Sequence, residues 1–141
     1  MFSRLADTID CLRSMIDDER EVAAILESLR TTPISTDDPY PDIPVVAPIL
    51  SGAVGRVMRF RYWEHILEHA KSTPASYALS WFDKALTRAR FEYSLKKGDL
   101  VLLDNHRVAH GRRAFPTGEG DAHGLRKASS RLLYNLHVFI D

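Results

Sequence analysis

The chain reads as an α+β domain, rich in β, with helices covering the sheet. Three observations predict this. Apolar residues recur at helical spacing through residue 30. From Phe91 onward the period changes to two. Polar stretches bearing Gly and Pro separate the regions, so the order is helices, a mixed region, then strands.

Composition agrees with one globular domain. The chain has 141 residues, of which 45% are hydrophobic and 27% charged. Lys plus Arg and Asp plus Glu are both 19, for a net charge of zero. No overall field favours nucleic acid or an anionic membrane. The lone cysteine, Cys11, excludes an intramolecular disulfide and a four-cysteine zinc site. At helical spacing with Ile9 and Leu12 it reads as a small packed hydrophobe. No apolar run approaches the roughly 20 residues that span a bilayer. Asp7, Asp10, Asp17 and Asp18 are at odds with a secretory signal, and a cytoplasmic location is expected.

The elements follow in order. Phe2, Leu5, Ile9, Leu12 and Ile16 mark an amphipathic helix. Val22, Ile25, Leu26 and Leu29 mark a second, with a cap near Asp17 and a stop at Pro33, so 1–32 is a helical segment. Residues 31–44, with Pro33, Pro39, Pro41 and Pro44, read as a loop. Val45 to Leu50 contains Pro48 and suits an edge strand. Arg59 and Arg61 alternate with Met58, Phe60 and Tyr62, as on a half-buried strand. His65 to Ala70 suits a short helical turn. Thr73-Pro74 is a helix-start signal, and Ala78, Phe82, Ala85, Leu86 and Ala89 line one face of a helix near 74–90. Phe91, Tyr93 and Leu95 then alternate with polar residues. Lys97-Gly98-Asp99 is a turn, Leu100 to Leu103 a fully buried strand, 116–130 a loop, and Arg131 to Ile140 the last strand.

Chemistry concentrates after the buried run. Asp104-Asn105-His106-Arg107-Val108-Ala109-His110-Gly111-Arg112 places two histidines at a polar tip, where barrel mouths hold ligands. His110 read alone is more often a hydrogen-bonded loop residue than a ligand.

Gly98-Asp99, the apolar strand, Asp104-Asn105-x-Arg107 and His110-Gly111-Arg112 together resemble the signature of iron(II)/2-oxoglutarate-dependent oxygenases of the taurine dioxygenase and clavaminate synthase type. Ser130-Arg131-Leu132-Leu133 is similar to that family's final strand, and 45–63 is more loosely similar to its middle region. The resemblance implies a partial double-stranded β-helix, jelly-roll or cupin-like, over 45–141, with N-terminal and inserted helices. It implies His110 as the distal iron ligand and Arg131 as the holder of the far carboxylate of 2-oxoglutarate, with Arg126 as the alternative. A guanidinium fork matches a carboxylate bidentately. Arg131 could instead pair with a structural acid, Asp99 or Glu92. The implied cofactors are Fe(II) and 2-oxoglutarate as co-substrate, and the implied partner is a small-molecule, possibly amino-acid-like substrate.

The family's other two iron ligands come as His-x-Asp or His-x-Glu. None of the six histidines, His65, His69, His106, His110, His123 and His137, is followed by that pattern. His65 and His69 share a helical spacing that permits metal binding but suits a solvated turn better. Two functions follow. One is a dioxygenase hydroxylating a small molecule, in a split or truncated chain. The other is a non-catalytic, degenerate oxygenase-fold protein for binding or assembly, associating with itself or a complementing chain through open sheet edges.

Overall fold

The computed structural model describes residues 1–36, 45–52, 58–62 and 66–110. The expected loop at 116–130, the final strand, Arg126, Arg131 and His65 lie outside them. Helix and strand are mixed. Among the described residues the strands are short, pair two by two and close no barrel.

The chain opens on a strand, β1 (Phe2–Arg4), and not on the helix predicted to begin at Phe2. Helix α1 follows (Leu5–Met15). Its buried stripe is Leu5, Thr8, Ile9 and Leu12. Thr8 is polar yet fully buried, and its hydroxyl donates to the carbonyl of Arg4 at 2.9 Å and lies 3.0 Å from Ser3 Oγ. A buried hydroxyl so partnered costs little. Cys11 is half-buried, with Sγ 3.8 Å from Met15 Sδ, as a packed hydrophobe should be. Helix α2 (Glu19–Thr31) is capped by Asp18, whose carboxylate accepts from the Arg20 amide at 2.8 Å. It buries Val22, Ile25 and Leu29 and stops ahead of Pro33, as expected.

Two antiparallel pairs come next: β2 (Ile34–Thr36) with β3 (Val45–Ala47), and β4 (Leu50–Ser51) with β5 (Arg59–Phe60). Pro48 divides the predicted edge strand into β3 and β4, since it has no amide to give a ladder. Helix α3 (Ile66–Ala70) matches the predicted short turn.

Helix α4 (Ser76–Arg88) begins after Thr73-Pro74. The Thr73 hydroxyl bonds back to the carbonyl of Ala70 at 2.8 Å, so it closes α3 and does not cap α4. Helices α1, α2 and α3 all pack on α4. Ala78 and Ala85 on its buried face let neighbours approach closely, and Phe82 fills the centre at 0% exposure. Burying such a ring stabilises by roughly 1.5–3 kcal/mol. Phe60 meets Phe82 edge-on at 6.1 Å between centroids.

The strands predicted at 91–95 and 100–103 are largely not formed. Only Phe91 joins a bridge, to Phe2. The Lys96–Asp99 turn is present, with Gly98 at φ +94, a conformation that favours glycine. Leu100 to Leu103, expected to be a buried strand, has no ladder partner among the described residues, and Leu100 and Leu102 are 82% and 84% exposed. Strand β6 (Val108–His110) then pairs antiparallel with β1. Among the described residues no helix is long and apolar enough to cross a membrane.

Candidate functional site

The segment richest in motif residues folds as a pinned turn. The Asp104 carbonyl accepts from the amides of Arg107 and Val108, both at 2.9 Å, and its carboxylate accepts from the His106 amide at 2.9 Å. An aspartate at this position organises the turn through its own backbone. The turn is tied on two sides: the Phe60 amide of β5 donates to the His106 carbonyl at 2.8 Å, and the Leu5 amide donates to the Arg107 carbonyl at 2.8 Å.

His110 closes β6, directly opposite Phe2 in the β1 register. Phe2 is held from its other side as well. Its amide and carbonyl exchange bonds with Phe91 at 2.9 and 2.8 Å, and the two rings lie 5.7 Å apart. The histidine is therefore carried on the edge of a small ladder whose centre is the N-terminal strand.

His106 and His110 both line an open groove of about 850 Å³. Its apolar surface comes from Phe2, Ile49, Phe60, Leu86 and Val108, and its charge from Arg59, Arg61 and Arg90. Arg61 is a structural clamp: its guanidinium donates to the carbonyl of Ile34 at 3.0 Å and to that of Ala47, which face one another across β2 and β3. Burial lowers its pKa from the usual arginine value. Tyr62 is anchored by a short hydrogen bond to the Asp83 carboxylate of α4. Burial first, and Asp83 second, raise the phenol's pKa.

Of the residues expected from sequence, the structure places His110 and His106 in the groove. His69 lies on α3 and does not line it. Asp99, an alternative partner for Arg131, accepts from the Lys96 amide at 2.8 Å within its own turn. Asp83 and Arg90 carried no signal in the sequence, because both belong to an ordinary amphipathic helix and its end.

The match with known families decides the relationship. The chain matches the model of "Taurine catabolism dioxygenase TauD, TfdA family" over residues 3–127. It belongs to that family. No curated protein and no solved structure gives a match. The TauD, TfdA family depends on iron(II) and 2-oxoglutarate, so these are the cofactors its membership implies. The described residues do not by themselves make up a complete iron site. Among the described residues no three His, Cys, Asp or Glu side chains cluster as metal ligands, and no His-x-Asp or His-x-Glu occurs in the sequence.

Proposed function

We propose that this chain is the C-terminal portion of an iron(II)- and 2-oxoglutarate-dependent dioxygenase, built on a double-stranded β-helix and acting in the cytoplasm on a small molecule. The family match over residues 3–127 carries the reading. In this reading His110 supplies one iron ligand. Arg131, or Arg126 in its place, holds the far carboxylate of 2-oxoglutarate by a bidentate fork. Iron with 2-oxoglutarate would supply the oxidising power for attack on a C–H bond. The absent His-x-Asp or His-x-Glu makes the chain a split or truncated member, completed by a segment that carries the pair.

The test begins with the coding sequence directly upstream. An in-frame His-x-Asp or His-x-Glu is expected there. Expressed with that segment, the protein releases succinate from 2-oxoglutarate only with iron(II), and His110→Ala abolishes release. A complete gene product that binds iron(II) but never turns over 2-oxoglutarate overturns the reading.

A second reading has its own support. The exposed run Leu100 to Leu103 beside an incomplete ligand set suits a non-catalytic assembly protein that completes its sheet with a partner. Anaerobic calorimetry with iron(II), with and without 2-oxoglutarate, separates the two. Binding that 2-oxoglutarate strengthens and His110→Ala removes belongs to the oxygenase.

A further inference from the structure

We infer that residues 91–95 are an open sheet edge for one partner, a strand that prolongs β1 ahead of Met1, and that the missing half of the iron site enters along it. This rests on the dioxygenase reading, which expects an upstream segment carrying His-x-Asp or His-x-Glu.

The backbone of Phe2 is paired on both sides. On one side it faces His110 across the β1–β6 ladder. On the other its amide donates to the Phe91 carbonyl at 2.9 Å, and its carbonyl accepts from the Phe91 amide at 2.8 Å. This bridge is antiparallel. Residues that exchange both bonds are the hydrogen-bonded kind of antiparallel pair, and that kind recurs at every second residue. The register of any continuation is thereby set. Met1 falls opposite Glu92, the residue ahead of Met1 opposite Tyr93, and the residue two places further upstream opposite Leu95. In that register Tyr93 and Leu95 turn their amides and carbonyls toward the line of β1, and Ser94 turns its own away.

Among the described residues the amides of Tyr93 and Leu95 donate no backbone hydrogen bond. Phe91 and Tyr93 are 48% and 57% exposed. The far end of the segment is nevertheless held: the Lys96 carbonyl accepts from the Asp99 amide at 3.1 Å, and the Lys96 amide donates to the Asp99 carboxylate at 2.8 Å. An edge fixed at both ends and open between them is a template for an added strand. The continuation of β1 is the occupant that fits, because Phe2 already holds it in line and in register, and covalent linkage raises its effective concentration. Side chains opposite one another in an antiparallel pair share a face, as the Phe2 and Phe91 rings do at 5.7 Å. The first and third upstream residues therefore lie beside Tyr93 and Leu95, and apolar or β-branched side chains suit them. Collinear with Phe2, the strand arrives at the His110 end of the groove, where both residues are part of the lining.

The probe is the full chain carrying Thr-Val-Thr-Val ahead of Met1, behind its own start codon, compared by amide hydrogen exchange with the chain alone. It puts valine at the first and third upstream positions. Exchange at Tyr93 and Leu95 is expected to slow about fivefold to tenfold, the scale of one backbone hydrogen bond, while exchange at Ser94 stays as it was. Thr-Pro-Thr-Pro in the same place removes the upstream amide from each pair and is expected to lose the slowing. The natural upstream codons in place of the probe are expected to give the same alternation as the valines. Equal slowing at Ser94, none at Tyr93 and Leu95, or slowing that survives the prolines overturns the inference. So does protection in the unextended chain that grows with protein concentration, which assigns the edge to a second copy. No iron and no turnover enter this measurement. Failure here leaves the dioxygenase reading standing, with its His-x-Asp or His-x-Glu entering elsewhere, and failure of succinate release leaves the edge result intact.

Discussion

Phe2 and His110 face each other across the β1–β6 ladder, and Phe2 is at the same time bonded and stacked to Phe91. The N-terminal strand therefore holds the candidate ligand in place from the far end of the chain. Phe2→Ala removes the ring but not the backbone bonds. It is expected to lower stability by about 1–2 kcal/mol, from lost apolar contact and the aromatic pair. It should also broaden the His110 ring resonances. A urea titration and the imidazole spectrum measure the two effects, and an unchanged spectrum would separate Phe2 from the positioning of His110.

Tyr62 joins β5 to α4 through Asp83. Burial and the neighbouring carboxylate raise its phenol above the ordinary value of 10.0. The folded state thus holds this proton more tightly than the unfolded chain. The resulting stability is fully present below about pH 10 and is lost as pH climbs above it. Thermal melts from pH 9 upward should show an alkaline decline that Tyr62→Phe flattens. At neutral pH Tyr62→Phe is expected to cost about 1–3 kcal/mol, because Asp83 loses its donor.

Phe82 is fully buried and meets both Phe60 and Tyr62. Phe82→Ala is expected to cost about 3–5 kcal/mol, a large part of the stability of a domain this size. Phe82→Leu should cost much less. Denaturation midpoints of the two variants give the comparison, and a mild effect of alanine would mean that α4 is not the centre of the core.

Leu100 and Leu102 give the opposite expectation. Both are more than four-fifths exposed. Leu100→Lys with Leu102→Lys should leave stability within about 0.5 kcal/mol, the usual effect of surface changes, and raise solubility. A loss of several kcal/mol would show that these side chains are covered.

How far sequence predicts this architecture depends on how local each cause is. Helices α1, α2 and α4 were legible because a 3.6-residue stripe such as Val22, Ile25 and Leu29 is a local signal of one buried face. Strand β1 was not, since Phe2 and Leu5 continue the same spacing and only pairing with Val108 to His110 makes Phe2 to Arg4 extended. Thr73-Pro74 misled in a similar way, because its hydroxyl serves the helix behind it. The run Leu100 to Leu103 announces a need for cover, but periodicity cannot say what supplies it. His110 was found through its motif and does line the groove.

The pairing of Phe2 with His110 also has a consequence for biosynthesis. Their ladder closes a span of roughly a hundred residues, so it forms only after nearly all the described chain has left the ribosome. At about 5–20 residues per second, β1 waits several seconds without its partner strand. Helices α1 and α2 can dock early on local contacts, whereas the groove with its histidine is assembled last. Changes that slow translation between residues 31 and 108 would prolong the time this strand stays exposed, before there is any site to protect.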